Sequence, residues 1–263
     1  MVRVGIVDYL NSKPLAWDFL CGRLDDRYEA VYRPPARVAE MLAAGEVDVG
    51  LIPTIEYQRI SGLEVVRGVC VAAREAVRSV LLVSKVPFGE IRRLALDHNS
   101  RTSVALVTIL LRERYGADPE AYPAAPRLDE MLADADAALV IGDPALRIDA
   151  EADDGLVLDL ASEWRRHTGL PFVFAFWAAR RGLVAPELAT HFAASLEHGR
   201  AHLAEIADRT ASQLDLDRRD LLTYLEDNLS FELGREEVAG VEEFFRRARE
   251  HDLIAPARPL QFT

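Results

Sequence analysis

The first 55 residues constrain the fold most. Val2–Val7 reads as an apolar strand, Tyr28–Arg33 as a second and Val47–Ile52 as a third. Pro14 suits the first turn of a helix running to about Leu20, and Pro35–Leu42 carries apolar residues at helical spacing before a stop at Gly45. A β-α-β-α-β order over so short a stretch calls for a sheet with parallel strands and helices laid on its faces. In such sheets a ligand sits beyond the carboxyl ends of the strands, so the residues just after each apolar run are the ones to inspect.

Further strands are expected at Val65–Ala72, Ser79–Ser84, Arg93–Leu96, Ala137–Ile141 and Val157–Leu160, Pro171–Ala179 is the most aromatic apolar stretch, and a return strand is expected from 176. Thr102–Tyr115 reads as a helix with Val104, Val107, Leu110 and Leu111 on one face. From Pro186 onward the pattern is almost entirely helical. The middle α/β unit interrupts the outer one, which predicts two lobes joined by two crossings near Val83–Lys85 and Phe174–Ala179. The expected division is 1–84 and 176–263 for one lobe and 85–175 for the inserted lobe, with a small-molecule cleft between them.

Charge and composition narrow the function. The chain of 263 residues carries a formal charge of −12 and no basic run longer than two residues, which argues against a nucleic-acid partner. Cys21 and Cys70 stand far apart without a CxxC, so neither a disulfide framework nor a zinc site is expected. His198 and His202 have helical spacing but lack the glutamate of a zinc-protease motif. No signal peptide or membrane-spanning run is read, so a cytoplasmic location is expected. Dinucleotide, P-loop and serine-hydrolase motifs are missing, and no metal or organic cofactor is expected.

Three strand exits hold the candidate residues. Asn11 and Ser12 follow the first strand in Asp8-Tyr9-Leu10-Asn11-Ser12-Lys13-Pro14-Leu15, where Ser12 could simply cap a helix and where Asn11 is one of only three asparagines in the chain. Asp97-His98-Asn99-Ser100-Arg101-Thr102-Ser103 brings three hydroxyls and a helix start together. Capping needs one such side chain, so this cluster favours a carboxylate or phosphate. Ile141-Gly142-Asp143-Pro144 places an acid at a third exit, equally readable as a plain turn. Ser84-Lys85 and Pro53-Thr54 occupy equivalent places.

Together these segments resemble the chorismate dehydratase family of the futalosine route to menaquinone. The resemblance continues through GEVDVGLIP (45–53), VRSVLLVSK (77–85), LDHNSRTSVALVTILL (96–111), AALVIGDPAL (137–146) and WRRHTGLPFVFAFW (164–177). It implies a two-lobed α/β fold of the periplasmic-binding-protein type II kind, used as an enzyme that removes water from chorismate to give 3-[(1-carboxyvinyl)oxy]benzoate. In that frame Ser84, Ser100, Arg101, Thr102 and Ser103, with Ser12, are expected to bind substrate carboxylates. Asn11 is expected near the departing hydroxyl, and Asp143 to orient donors or handle a proton. The alternatives are a non-catalytic receptor for a small organic anion, the sister 1,4-dihydroxy-6-naphthoate synthase, and a regulatory effector-binding domain.

Overall fold

The computed structural model describes residues 1–148, 156–182 and 187–263. The chain begins with β1 (Val2–Val7), a 3-10 turn at Leu10–Ser12, α1 (Trp17–Leu20), β2 (Tyr28–Arg33), α2 (Pro35–Ala44), β3 (Val49–Pro53), α3 (Glu56–Arg59) and β4 (Leu63–Ala73). It continues with β5 (Val80–Ser84), β6 (Arg93–Asp97), α4 (Thr102–Leu110), β7 (Glu120–Ala124), α5 (Leu128–Asp134), β8 (Ala137–Ile141), α6 (Asp143–Leu146), β9 (Leu156–Asp159) and α7 (Leu160–Thr168). It closes with β10 (Phe172–Arg180), α8 (Leu188–Arg200), α9 (Leu203–Leu214), α10 (Arg218–Thr223), β11 (Ser230–Leu233) and α11 (Arg235–Glu250).

These strands form two sheets. One has the order β11-β4-β10-β3-β1-β2 and the other β7-β6-β8-β5-β9. β1 pairs in parallel with β2 and β3, as the opening pattern requires, and β6 pairs in parallel with β7 and β8. β10 runs antiparallel to β3, and β5 antiparallel to β8. Local chemistry explains the elements. α2 has proline in its first turn and ends on Gly45 at φ 75, while Val38, Ala39, Met41 and Leu42 turn inward. α4 is apolar almost all round and is correspondingly buried, packed against β10, α7 and α11.

The lobe boundaries differ from the sequence expectation. β5 belongs wholly to the second sheet, so the first crossing is 74–79; β10 belongs wholly to the first, so the return crossing is 169–171. Both apolar runs read as connectors because a buried strand and a buried crossing have the same composition. Asp159 pins the first crossing, accepting the Val77 amide at 3.2 Å and the Arg78 amide at 2.7 Å, and it also caps α7. Two strands were not anticipated, β7 and β11. The expected helical stretch from Pro186 starts at Leu188, and Pro186 lies outside the described residues. The helix expected after Pro14 is a short α1 beginning only at Trp17.

Candidate active site

The carboxyl ends of β1, β3, β6 and β8 face one another across a cleft between the two sheets. Val7, Leu51, Pro53, Val71 and Phe174 line it from the first lobe, and Val77, Val80 and Ile141 continue the apolar wall. Polar groups converge from Tyr9, Asn11, Ser79, Asn99, Ser100, Arg101, Thr102 and Ser103. Among the described residues no Asp, Glu, His or Lys lines the cleft.

The loop before α4 keeps hydrogen-bond donors free at the cleft. No side chain caps α4. Asn99 donates through its side chain to Asp97 at 3.2 Å, and the Ser100 hydroxyl is buried without a partner. The helix start therefore keeps its outward amides and its positive end for a ligand. Asp97 is fully buried beneath this loop, accepting the Asn99 amide at 2.9 Å and the Ile141 amide at 3.4 Å. Burial holds its carboxyl above the ordinary aspartate value, against the lowering effect of those donors.

Two contacts tie this loop to the first lobe. The Ile55 amide donates to Thr102 Oγ1 at 3.2 Å, and Arg101 pairs with Glu40 of α2 at 3.1 Å. Arg101 is thus the cation at the cleft wall, though its side chain is also turned toward the α2 carboxylate.

Asn11 reaches the cleft from the 3-10 turn. That turn is held in place from the other lobe, where Asp143 accepts the Leu10 amide at 2.9 Å. The Asp143 carboxyl is pushed up to about 6, first by burial and further by Asp8, while the Leu10 amide and Lys13 oppose the rise. The cleft wall at this point is Gly142, not the Asp143 side chain. Gly142 lies flat against the ring of Tyr9 with φ 66 and ψ −148, and a Cβ there would approach Tyr9 Cε2 to 2.7 Å. Burial and the nearby Asp97, Asp143 and Asp8 raise the Tyr9 hydroxyl well above the ordinary tyrosine value, so it stays protonated.

Two expected site residues point elsewhere. Ser84 Oγ donates to Val86 O at 2.6 Å at the far end of the second sheet, because β5 is antiparallel and Ser84 pairs with the first residue of β8. The amino end of β5 faces the cleft instead, bringing Ser79 to it. A rule confined to carboxyl ends of parallel strands misses Ser79; the signal for it is the serine just before an apolar run whose direction the sequence leaves open. Ser12 is buried with its hydroxyl on the carbonyls of Val7 and Tyr9, closing the turn without capping a helix or reaching the cleft. Away from the cleft, His198 sits on Asp18 at 2.9 Å and His202 stacks on Trp17 at 4.9 Å, which accounts for both histidines structurally.

The sequence pattern of a family described as menaquinone biosynthesis matches residues 2–250. The chain belongs to the menaquinone biosynthesis family. A chorismate dehydratase of Thermus thermophilus is 32% identical over 258 residues, covering 92% of this chain and 93% of that protein. A chorismate dehydratase of Campylobacter jejuni is 24% identical, covering 93% and 96%. Protein AF1704 of Archaeoglobus fulgidus matches in fold with a TM-score of 0.75 at 17% identity, covering 96% of this chain and 98% of that one. The alkanesulfonate-binding protein SsuA of Xanthomonas axonopodis pv. citri, solved with MOPS, matches with a TM-score of 0.72 at 18% identity, covering 98% and 95%. The two-sheet architecture is therefore that of periplasmic binding proteins, as the sequence resemblance implied. Among the described residues no helix is long and apolar enough to cross a membrane.

Proposed function

We propose that the chain is a hydro-lyase that removes water from chorismate to give 3-[(1-carboxyvinyl)oxy]benzoate in menaquinone biosynthesis. The observation that carries this reading, beside the family, is the composition of the cleft. It offers an uncapped helix start, the unpartnered Ser100 hydroxyl and Arg101 for carboxylate, an apolar wall for a ring and, among the described residues, no carboxylate, imidazole or amine lining it to act as a base.

Chorismate brings two carboxylates and a ring that becomes aromatic on losing water. The α4 cradle suits one carboxylate. The elimination breaks the C–H bond at the carbon bearing the enolpyruvyl ether and the C–O bond of the neighbouring hydroxyl. Its electron pair forms the third ring double bond, and proton and hydroxide leave together as water. Tyr9 stays protonated, so it is a donor and not the proton acceptor. The substrate's own enolpyruvyl carboxylate is then the base at hand. Asn11 and Ser79 supply hydrogen bonds on the side where hydroxide departs. The protein's task is to align these groups, which favours water loss over loss of the enolpyruvyl group. Asp143 acts through the Leu10 amide, setting where Asn11 stands. As an enzyme of a metabolic intermediate, with a small molecule as its partner, the chain is assigned to the cytoplasm.

The test is purified protein with chorismate and mass spectrometry of the products. The expected product is lighter by one water, retains the enolpyruvyl group and forms in proportion to enzyme. Saturable binding of chorismate without turnover would replace this reading with an anion receptor.

A further inference from the structure

Tyr224 stands behind the cleft, against Ser79, and the reaction above does not use it. It opens a π-type turn, Tyr224–Asn228, that continues α10, and it is buried. Turns of this kind are wider than an α-helix and recur at functional sites. Asn228 at the far end of the turn donates to Ala76 O at 3.1 Å, which anchors the turn to the first crossing. The Tyr224 hydroxyl donates to Ser79 Oγ at 2.8 Å. One buried hydroxyl thus meets Ser79, a polar side chain assigned to the departing hydroxide, from behind the cleft.

Donor counting gives what is left to Ser79. A phenol has one proton, and here it is donated to Ser79 Oγ. Ser79 Oγ accepts that bond, and its own proton has no acceptor among the described protein contacts of the cleft. Burial raises the Tyr224 hydroxyl far above the ordinary tyrosine value, which keeps it a donor at any working pH. Chains of donors in a dry site strengthen one another.

We propose that Tyr224 is a positioning residue for the elimination, fixing the Ser79 proton toward the ligand. The proposal rests on the dehydratase reading. A phenylalanine at 224 keeps the ring packing and removes only the hydroxyl, leaving Ser79 free to turn its proton elsewhere.

The experiment compares wild type, Tyr224→Phe, Ser79→Ala and the double variant with chorismate as substrate. Tyr224→Phe is expected to lower kcat by about tenfold or more with KM little changed, a fraction of what losing a direct donor costs. The double variant is expected within about threefold of Ser79→Ala, because a residue that acts through Ser79 has little left to do without it. Titration with 3-(carboxymethoxy)benzoate, a stable aromatic dicarboxylate without the reacting hydroxyl, is expected to give the same affinity for wild type and Tyr224→Phe. An undiminished kcat in Tyr224→Phe beside an active wild type overturns this role alone. So does a double variant in which the two losses multiply in full, or a Tyr224→Phe protein that loses the dicarboxylate with its activity. A folded wild type that leaves chorismate intact overturns the dehydratase reading and this role with it.

Discussion

Asp143 of the second lobe accepts the Leu10 amide of the first at 2.9 Å, and this bond holds the turn that carries Asn11. The carboxyl titrates near 6 in the folded protein against 3.8 for an ordinary aspartate. Between those values the folded chain holds a proton that the unfolded chain has released. Asp143 therefore favours the fold increasingly as the pH drops through that window and imposes a constant penalty above it. Activity should run the other way, because a protonated carboxyl accepts the amide more weakly. Melting curves of wild type and Asp143→Asn should show wild type gaining relative stability as the pH falls from about 6 to about 4. Over the same range kcat/KM of wild type should fall, and that inflection should be missing in Asp143→Asn. Parallel pH profiles for the two proteins would remove Asp143 from this role.

Ser100 offers a separation of binding from stability. Its hydroxyl is buried and unpartnered without ligand, so removing it relieves an unsatisfied polar group. Ser100→Ala should keep or slightly raise the melting temperature while weakening substrate, with KM up by about tenfold for the loss of one charge-assisted bond. A lowered melting temperature with unchanged KM would mean that the hydroxyl serves the fold alone.

Gly142→Ala tests the contact between lobes. Its φ of 66 with ψ −148 is a region that glycine alone occupies readily, and the added Cβ would press on the Tyr9 ring. The expected cost is about 1–3 kcal/mol in denaturant unfolding. Turnover should fall further than stability accounts for, because Tyr9 and the Asn11 turn would be displaced together. Retained kcat/KM in the folded variant would show that the Tyr9–Gly142 contact is dispensable.

Ser84 supplies the control. Its hydroxyl bonds Val86 O at the end of the sheet remote from the cleft. Ser84→Ala should lose about 1 kcal/mol of stability, with kcat and KM unchanged. Any substantial rise in KM would return Ser84 to the substrate.

Much of the arrangement was legible beforehand. The β-α-β-α-β opening, the helix stop at Gly45 and the 97–103 loop follow from residues adjacent in sequence. Hydrophobic period, proline and glycine placement, and helix starts are local properties. Asn11, Ser100, Arg101, Thr102 and Ser103 were legible for the same reason, since each sits where a local rule places a ligand. β11 was not, because Ser230–Leu233 is too short for its period to stand out between helices and is a strand only by pairing with β4.

The amino-acid sequence by itself determined most of the elements, the parallel opening of the first sheet and the hydroxyl-rich loop at the start of α4. Tertiary structure decided which end of β5 meets the cleft, and so exchanged Ser84 for Ser79. It also decided that Asp143 turns to Leu10, that Arg101 meets Glu40, and that Tyr224 reaches Ser79 across 145 positions of chain. The physical reason is direction. A strand has the same hydrophobic pattern whichever way it runs, and a polar side chain can satisfy itself with any partner within reach. Only the packing of one lobe on the other selects the orientation and the partner.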